Sequence, residues 1–110
     1  MAANENGQVG WTFLTNHARV LLAVARDPEM RLREVAAHCG VTERTVQGIV
    51  ADLEEGGYLV RGRAADGRRN HYLVNPEAPF RHPAEAGHEI AGLLELLARE
   101  PAASRESAVS

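Results

Sequence analysis

Residues 34–53 read EVAAHCGVTERTVQGIVADL, and no other stretch of the chain restricts its fold so tightly. Leu32, Val35, Ala36 and Cys39 stand at i, i+3, i+4 and i+7, the spacing that lays an apolar stripe along one face of a helix. Gly40 follows where a helix C-terminus favours the left-handed backbone that only glycine adopts freely. Thr42 then offers a hydroxyl to cap a second helix, in which Val46, Ile49, Val50 and Leu53 repeat the stripe. A small residue at 36, glycine at 40 and apolar side chains at 41 and 46 meet the needs of two helices crossing around a tight turn. The stretch predicts a helix-turn-helix, with the second helix spanning residues 43–55.

The flanking segments extend this unit. Trp11 to Leu14 lead into a helix capped by Thr15 or Asn16 and stopped near Arg26 by Asp27-Pro28, since the residue before proline avoids the helical region. That helix is apolar on more than one side, which predicts burial by more than its own domain. Met30-Arg31-Leu32 reads as a short extended piece. After Gly56-Gly57, two strand-like runs, 58–63 and 70–74, are joined through Asp66-Gly67, a hairpin signal. Pro83 suits a first helical position, and residues 84–99 follow as a last helix with Ile90, Leu93, Leu94 and Leu97 as its stripe. Residues 1–10 and 101–110 read as a disordered leader and tail around one domain, 11–100.

With these elements in order, residues 30–74 resemble the winged helix-turn-helix of bacterial repressors of the MarR and ArsR type. The run LEEGGYLVRGRAADGRRNHYLV is especially similar to the end of a recognition helix and its wing. The resemblance implies an α+β, mainly α fold with a two-stranded wing and terminal dimerisation helices. It also implies a homodimeric repressor that binds double-stranded DNA, and it leaves the identity of any small-molecule effector open.

The local chemistry agrees. A helix over 43–55 is about 20 Å long at ~1.5 Å per residue and fits a major groove about 12 Å wide. With its apolar stripe turned inward, Thr42, Arg44, Thr45, Gln47 and Gly48 are expected at the DNA. Arg44 suits guanine and Gln47 adenine, the threonines suit phosphate, and Gly48 lets backbone approach the groove wall. Glu43 repels phosphate and is read as a partner of the helix dipole. The wing residues Arg61, Arg63, Arg68, Arg69 and Asn70 are expected on phosphate or in the minor groove. Leu21, Val24, Ile90, Leu93, Leu94 and Leu97 are expected at the dimer interface.

Charge bears on this reading because the chain as a whole carries −3. Residues 58–72 hold Arg61, Arg63, Arg68 and Arg69 against Asp66 alone, a local +3, whereas 73–110 hold six glutamates against three arginines, a local −3. An arginine-rich hairpin beside a polar helix edge suits duplex DNA. The acidic C-terminal third favours an alternative, a winged helix that binds protein and not DNA. No nucleophile-base pair or glycine-rich phosphate loop points to an enzyme, and no cofactor is expected. His82, Glu85, His88 and Glu89 carry ligand-type side chains, but Pro83 interrupts them and Cys39 is the single cysteine, so no metal site is expected. His17 has no evident partner, and His71 is read as an ordinary cross-strand neighbour. Trp11 and Phe13 are read as anchoring the chain entrance to the core rather than lining a ligand pocket. One cysteine, no signal peptide and no membrane-length apolar run predict a cytoplasmic protein.

Overall fold

A computed structural model of the chain describes residues 10–63 and 70–98. The order of elements is α1 (Asn16–Arg26), α2 (Leu32–Cys39), α3 (Glu43–Glu55), β1 (Leu59–Arg63), β2 (Asn70–Val74), a 3₁₀ turn (Pro83–Glu85) and α4 (Ala91–Leu97). The predicted leader and tail, apart from Gly10, lie outside the described residues, as does the hairpin tip 64–69. Among the described residues no helix is long and apolar enough to cross a membrane.

Local chemistry sets the helix ends. Thr15 caps α1 by accepting the Ala18 N–H at 3.2 Å, and Asp27 ends the helix in an extended conformation ahead of Pro28. Two glycines then close the next helices in the same way. Gly40, at φ 72°, lets its own N–H reach Ala37 and the Val41 N–H reach the Ala36 carbonyl at 3.0 Å. Gly57, at φ 85°, lets its N–H reach Glu54 and the Tyr58 N–H reach Leu53 at 2.9 Å. Paired bonds of this pattern satisfy the orphan carbonyls of a helix end and redirect the chain sharply. The first bend creates the helix-turn-helix and the second sends the chain into the hairpin.

α1 is the hub of the core. It packs on α2, α3, α4 and β2, so the consecutive residues Val20 to Val24 are all buried. Around them gather Val35 and Ala36 from α2, Val46, Ile49, Val50 and Leu53 from α3, and Leu59 and Tyr72 from the hairpin. Each fully buried aliphatic side chain here stabilises the fold by about 1.5–3 kcal/mol. A helix apolar all round is thus enclosed by its own domain, contrary to the expectation that a partner would be needed. The same finding corrects half of the expected dimer surface: Val24 is 0% exposed, Ile90 3% and Leu21 4%, all consumed by the core of this chain.

β1 and β2 form an antiparallel pair in which Leu59 faces Val74, Arg61 faces Tyr72 and Gly62 faces His71. The expected strand at 30–32 is absent among the described residues. Leu32 already belongs to α2, and this region meets the hairpin through the Tyr72 N–H, which donates to the Pro28 carbonyl at 3.0 Å.

The last helix also differs from expectation, beginning at Ala91 and not near residue 84. His82 Nδ1 accepts the Ala84 N–H at 3.0 Å and Pro83 opens only a 3₁₀ turn, which ends before Gly87 at φ 90°. Strand-like contacts take over: the Phe80 N–H donates to His88 and the Ile90 N–H to Ala78, at 3.0 and 2.9 Å. The Tyr58 hydroxyl donates to the Pro79 carbonyl and ties this loop to the end of α3.

Candidate nucleic-acid interface

α3 is held from within and open from without. Its buried stripe, Val46, Ile49, Val50 and Leu53, fixes the rotation of the helix about its axis. Arg44, Gln47, Gly48 and Ala51, at i, i+3, i+4 and i+7, therefore form an exposed stripe on the opposite side. Thr42 caps the helix, its Oγ1 accepting the Thr45 N–H at 3.1 Å and donating to Thr45 Oγ1 at 2.9 Å. Both threonines are exposed at the end where amide N–H groups and the helix dipole favour an anion. Arg44 has no hydrogen-bond or ion-pair partner among the described residues, so its guanidinium is free to reach a ligand. A Cβ built on Gly48 would meet nothing within 4 Å, so no neighbour among the described residues requires glycine there.

The acidic residues in the C-terminal half of α3 are mostly engaged. Asp52 Oδ2 lies 2.8 Å from His17 Nε2 on α1. The Glu54 carboxylate accepts two bonds from Arg61 on β1, from Nε at 3.0 Å and from Nη2 at 2.9 Å. This pairing pushes the Arg61 guanidinium further above its ordinary range, against a smaller opposing effect of burial. Arg61, expected on phosphate, is therefore already neutralised from within. Of the other wing residues, Arg63 ends β1 and Asn70 begins β2, while Arg68 and Arg69 lie outside the described residues.

Four side chains have surroundings that local sequence did not reveal. His17 finds Asp52 across 35 residues. His71 lies opposite Gly62 in the hairpin and has its Nδ1 3.4 Å from Glu29 Oε2 in the α1–α2 loop. Trp11 and Phe13 stack edge to face at 5.0 Å but remain on the surface, with Phe13 91% exposed, so they do not anchor the entrance to the core. Among the described residues no three His, Cys, Asp or Glu side chains gather as metal ligands. Burial pushes the Cys39 thiol up, with Arg19 opposing weakly. A cavity of about 410 Å³ opens between the start of α1, the end of α3 and the 80–93 segment. Leu21, Leu53, Phe80 and Leu93 line it, with His17, Asp52 and Arg81 as polar groups.

A family model described as the MarR family matches residues 11–69, more than half of the chain. The chain belongs to the MarR family. Among solved structures it is similar to the PcaV transcriptional regulator from Streptomyces coelicolor, solved in complex with its natural ligand. That likeness has a TM-score of 0.52 at 25% identity and covers 93% of this chain and 73% of PcaV. No curated protein matches the chain. This MarR-family chain is thus a winged-helix transcription regulator, with α2 and α3 as its helix-turn-helix and β1–β2 as its wing.

Proposed function

We propose that this regulator represses transcription by binding duplex DNA as a cytoplasmic homodimer, with residues 11–100 as its working unit. The exposed stripe of α3 enters the major groove and the wing follows the backbone or the minor groove. The observation that carries the reading is the uncommitted polar stripe of Arg44, Gln47 and Gly48 on a helix whose rotation the core fixes. Arg44 contacts guanine, Gln47 adenine, and Thr42 and Thr45 phosphate. Gly48 lets the helix backbone close on the groove, and Arg63, Arg68, Arg69 and Asn70 supply the wing contacts.

Two-fold assembly supplies the second half-site, about 34–36 Å from the first. Leu97 and the half-buried Leu93 are left for it, with Leu94 packed in part against the core, and the exposed Leu96, Trp11 and Phe13 extend the same kind of surface. The PcaV structure contains a natural ligand, and the 410 Å³ cavity beside the end of α3 is where an effector of this chain would bind.

Fluorescence anisotropy with labelled random duplex at low salt tests the reading, followed by selection of a specific site. On that site Arg44→Ala costs about 1–3 kcal/mol and relaxes preference at one base position. Absence of binding at micromolar protein would sink the proposal and leave the winged helix as a protein-binding module.

A further inference from the structure

Strand alternation places Arg61 on the same hairpin face as Leu59, Tyr72 and Val74, the face turned toward the helices. Its guanidinium lies 5.9 Å from the centroid of the buried Tyr72 ring and forms the two bonds to Glu54. Glu54 stands in the last turn of α3, two residues before the Gly56-Gly57 bend. The Tyr72 N–H is fastened to the Pro28 carbonyl, which ties β2 to the α1–α2 loop, and the Asn75 N–H donates across to the Tyr58 carbonyl and closes the hairpin root. A planar fork on a carboxylate fixes orientation as well as distance. The Arg61–Glu54 pair is therefore a strut between the end of the recognition helix and the first strand of the wing.

We propose that Arg61 is a positioning residue: through Glu54 it sets the pitch of the wing against α3, and it does not itself contact DNA. The proposal rests on the DNA-binding reading above but makes a separate claim about how the two DNA-facing elements are aligned. It also predicts an effect opposite in sign to simple electrostatics. Removing the Glu54 charge frees an arginine and adds +1 beside a polyanion, which alone would tighten binding. If the strut governs, the same change weakens binding, because the wing loses its alignment.

The test measures duplex affinity across a salt titration for wild type, Glu54→Gln, Arg61→Ala and the double variant. Each single variant is expected to bind about three- to tenfold more weakly, the range for a partly exposed bidentate pair, and the double no more weakly than either. The salt slope of Arg61→Ala stays at the wild-type value, since no phosphate contact is lost. A slope lower by ~1 in Arg61→Ala, or unchanged or tighter binding by Glu54→Gln, overturns the proposal. Hydrogen exchange at residues 59–63 and 70–74 provides a readout independent of DNA. Glu54→Gln is expected to accelerate exchange there about three- to tenfold with α1 unchanged, and equal rates overturn the strut. Failure of wild type to bind any duplex would instead refute the DNA reading, and the exchange result would still decide the strut.

Discussion

Gly48→Ala separates what α3 needs for folding from what it needs for binding. Gly48 lies in the interior of a helix on its exposed stripe, with nothing within 4 Å of an added Cβ. Alanine there restricts the unfolded chain, strains nothing in the folded one, and should stabilise it by about 0.5–1 kcal/mol. For a domain of this size that raises the midpoint of thermal unfolding by roughly 2–8 °C. If the backbone at 48 comes close to the groove wall, the new methyl must push the helix outward. Affinity for the specific duplex should then fall about tenfold or more, equivalent to ~1.4 kcal/mol. Thermal melts followed by circular dichroism, paired with anisotropy titrations on the same samples, measure both quantities. Gly40→Ala is the control: Gly40 also has open space around it but sits at φ 72°, so alanine costs about 1–2 kcal/mol in backbone conformation alone. A Gly48→Ala protein that is more stable and binds DNA as wild type does would refute close approach at this position. One that is less stable would refute the open surroundings of the site.

Thr42→Ala removes the cap of α3 and should cost about 0.5–2 kcal/mol in a urea melt, with a further loss of DNA affinity if its hydroxyl also meets phosphate. Leu96→Asp should leave the fold of the single chain intact, because Leu96 is 72% exposed, yet shift sedimentation from dimer toward monomer. An unchanged sedimentation coefficient would remove this face from the interface. Cys39 should react with iodoacetamide more slowly than a cysteine in an unfolded peptide at pH 8, because burial raises its thiol pKa and depletes the thiolate. The sign is fixed by the direction of the shift: the rate climbs as pH rises toward the elevated pKa, and any stability due to the buried protonated thiol declines over the same interval. A rate equal to that of the unfolded peptide would contradict the burial.

Features governed by a few adjacent residues are legible in the sequence. The cap at Thr42, the left-handed turn at Gly40, the 43–55 limits of α3 and the strand at 70–74 all follow from side chains a few positions apart, and all stand in the structure. What required a partner distant in sequence was not legible. The apolar character of Leu21, Val24 and Ile90 says that they are buried but not by what, so a surface assigned to a second copy proved to be core. Arg61 was readable as a cation near DNA, while its neutralisation by Glu54 depends on how the Gly56-Gly57 bend returns β1 alongside α3. Pro83 opened the expected turn, but a first-turn proline fits a 3₁₀ turn as well as an α-helix. The left-handed Gly87 was the sequence signal against a continuous helix from 84.

The net charge of −3 does not conflict with the proposed contact of α3 with DNA, because a groove responds to local potential and salt screens exposed charges over about 8 Å. Along α3 the charges are sorted by position and by partner. The N-terminal half combines the positive end of the helix dipole with Arg44, which has no partner among the described residues, and Glu43 in the first turn stabilises that end of the helix. In the C-terminal half, Asp52 and Glu54 are each placed against a basic side chain of another element, His17 or Arg61, and Glu55 has no such contact among the described residues. The helix therefore offers a phosphate its cationic end, while most of the acidity of its C-terminal half is paired with basic side chains of other elements. A chain whose overall sum is acidic can in this way keep a recognition surface that is not.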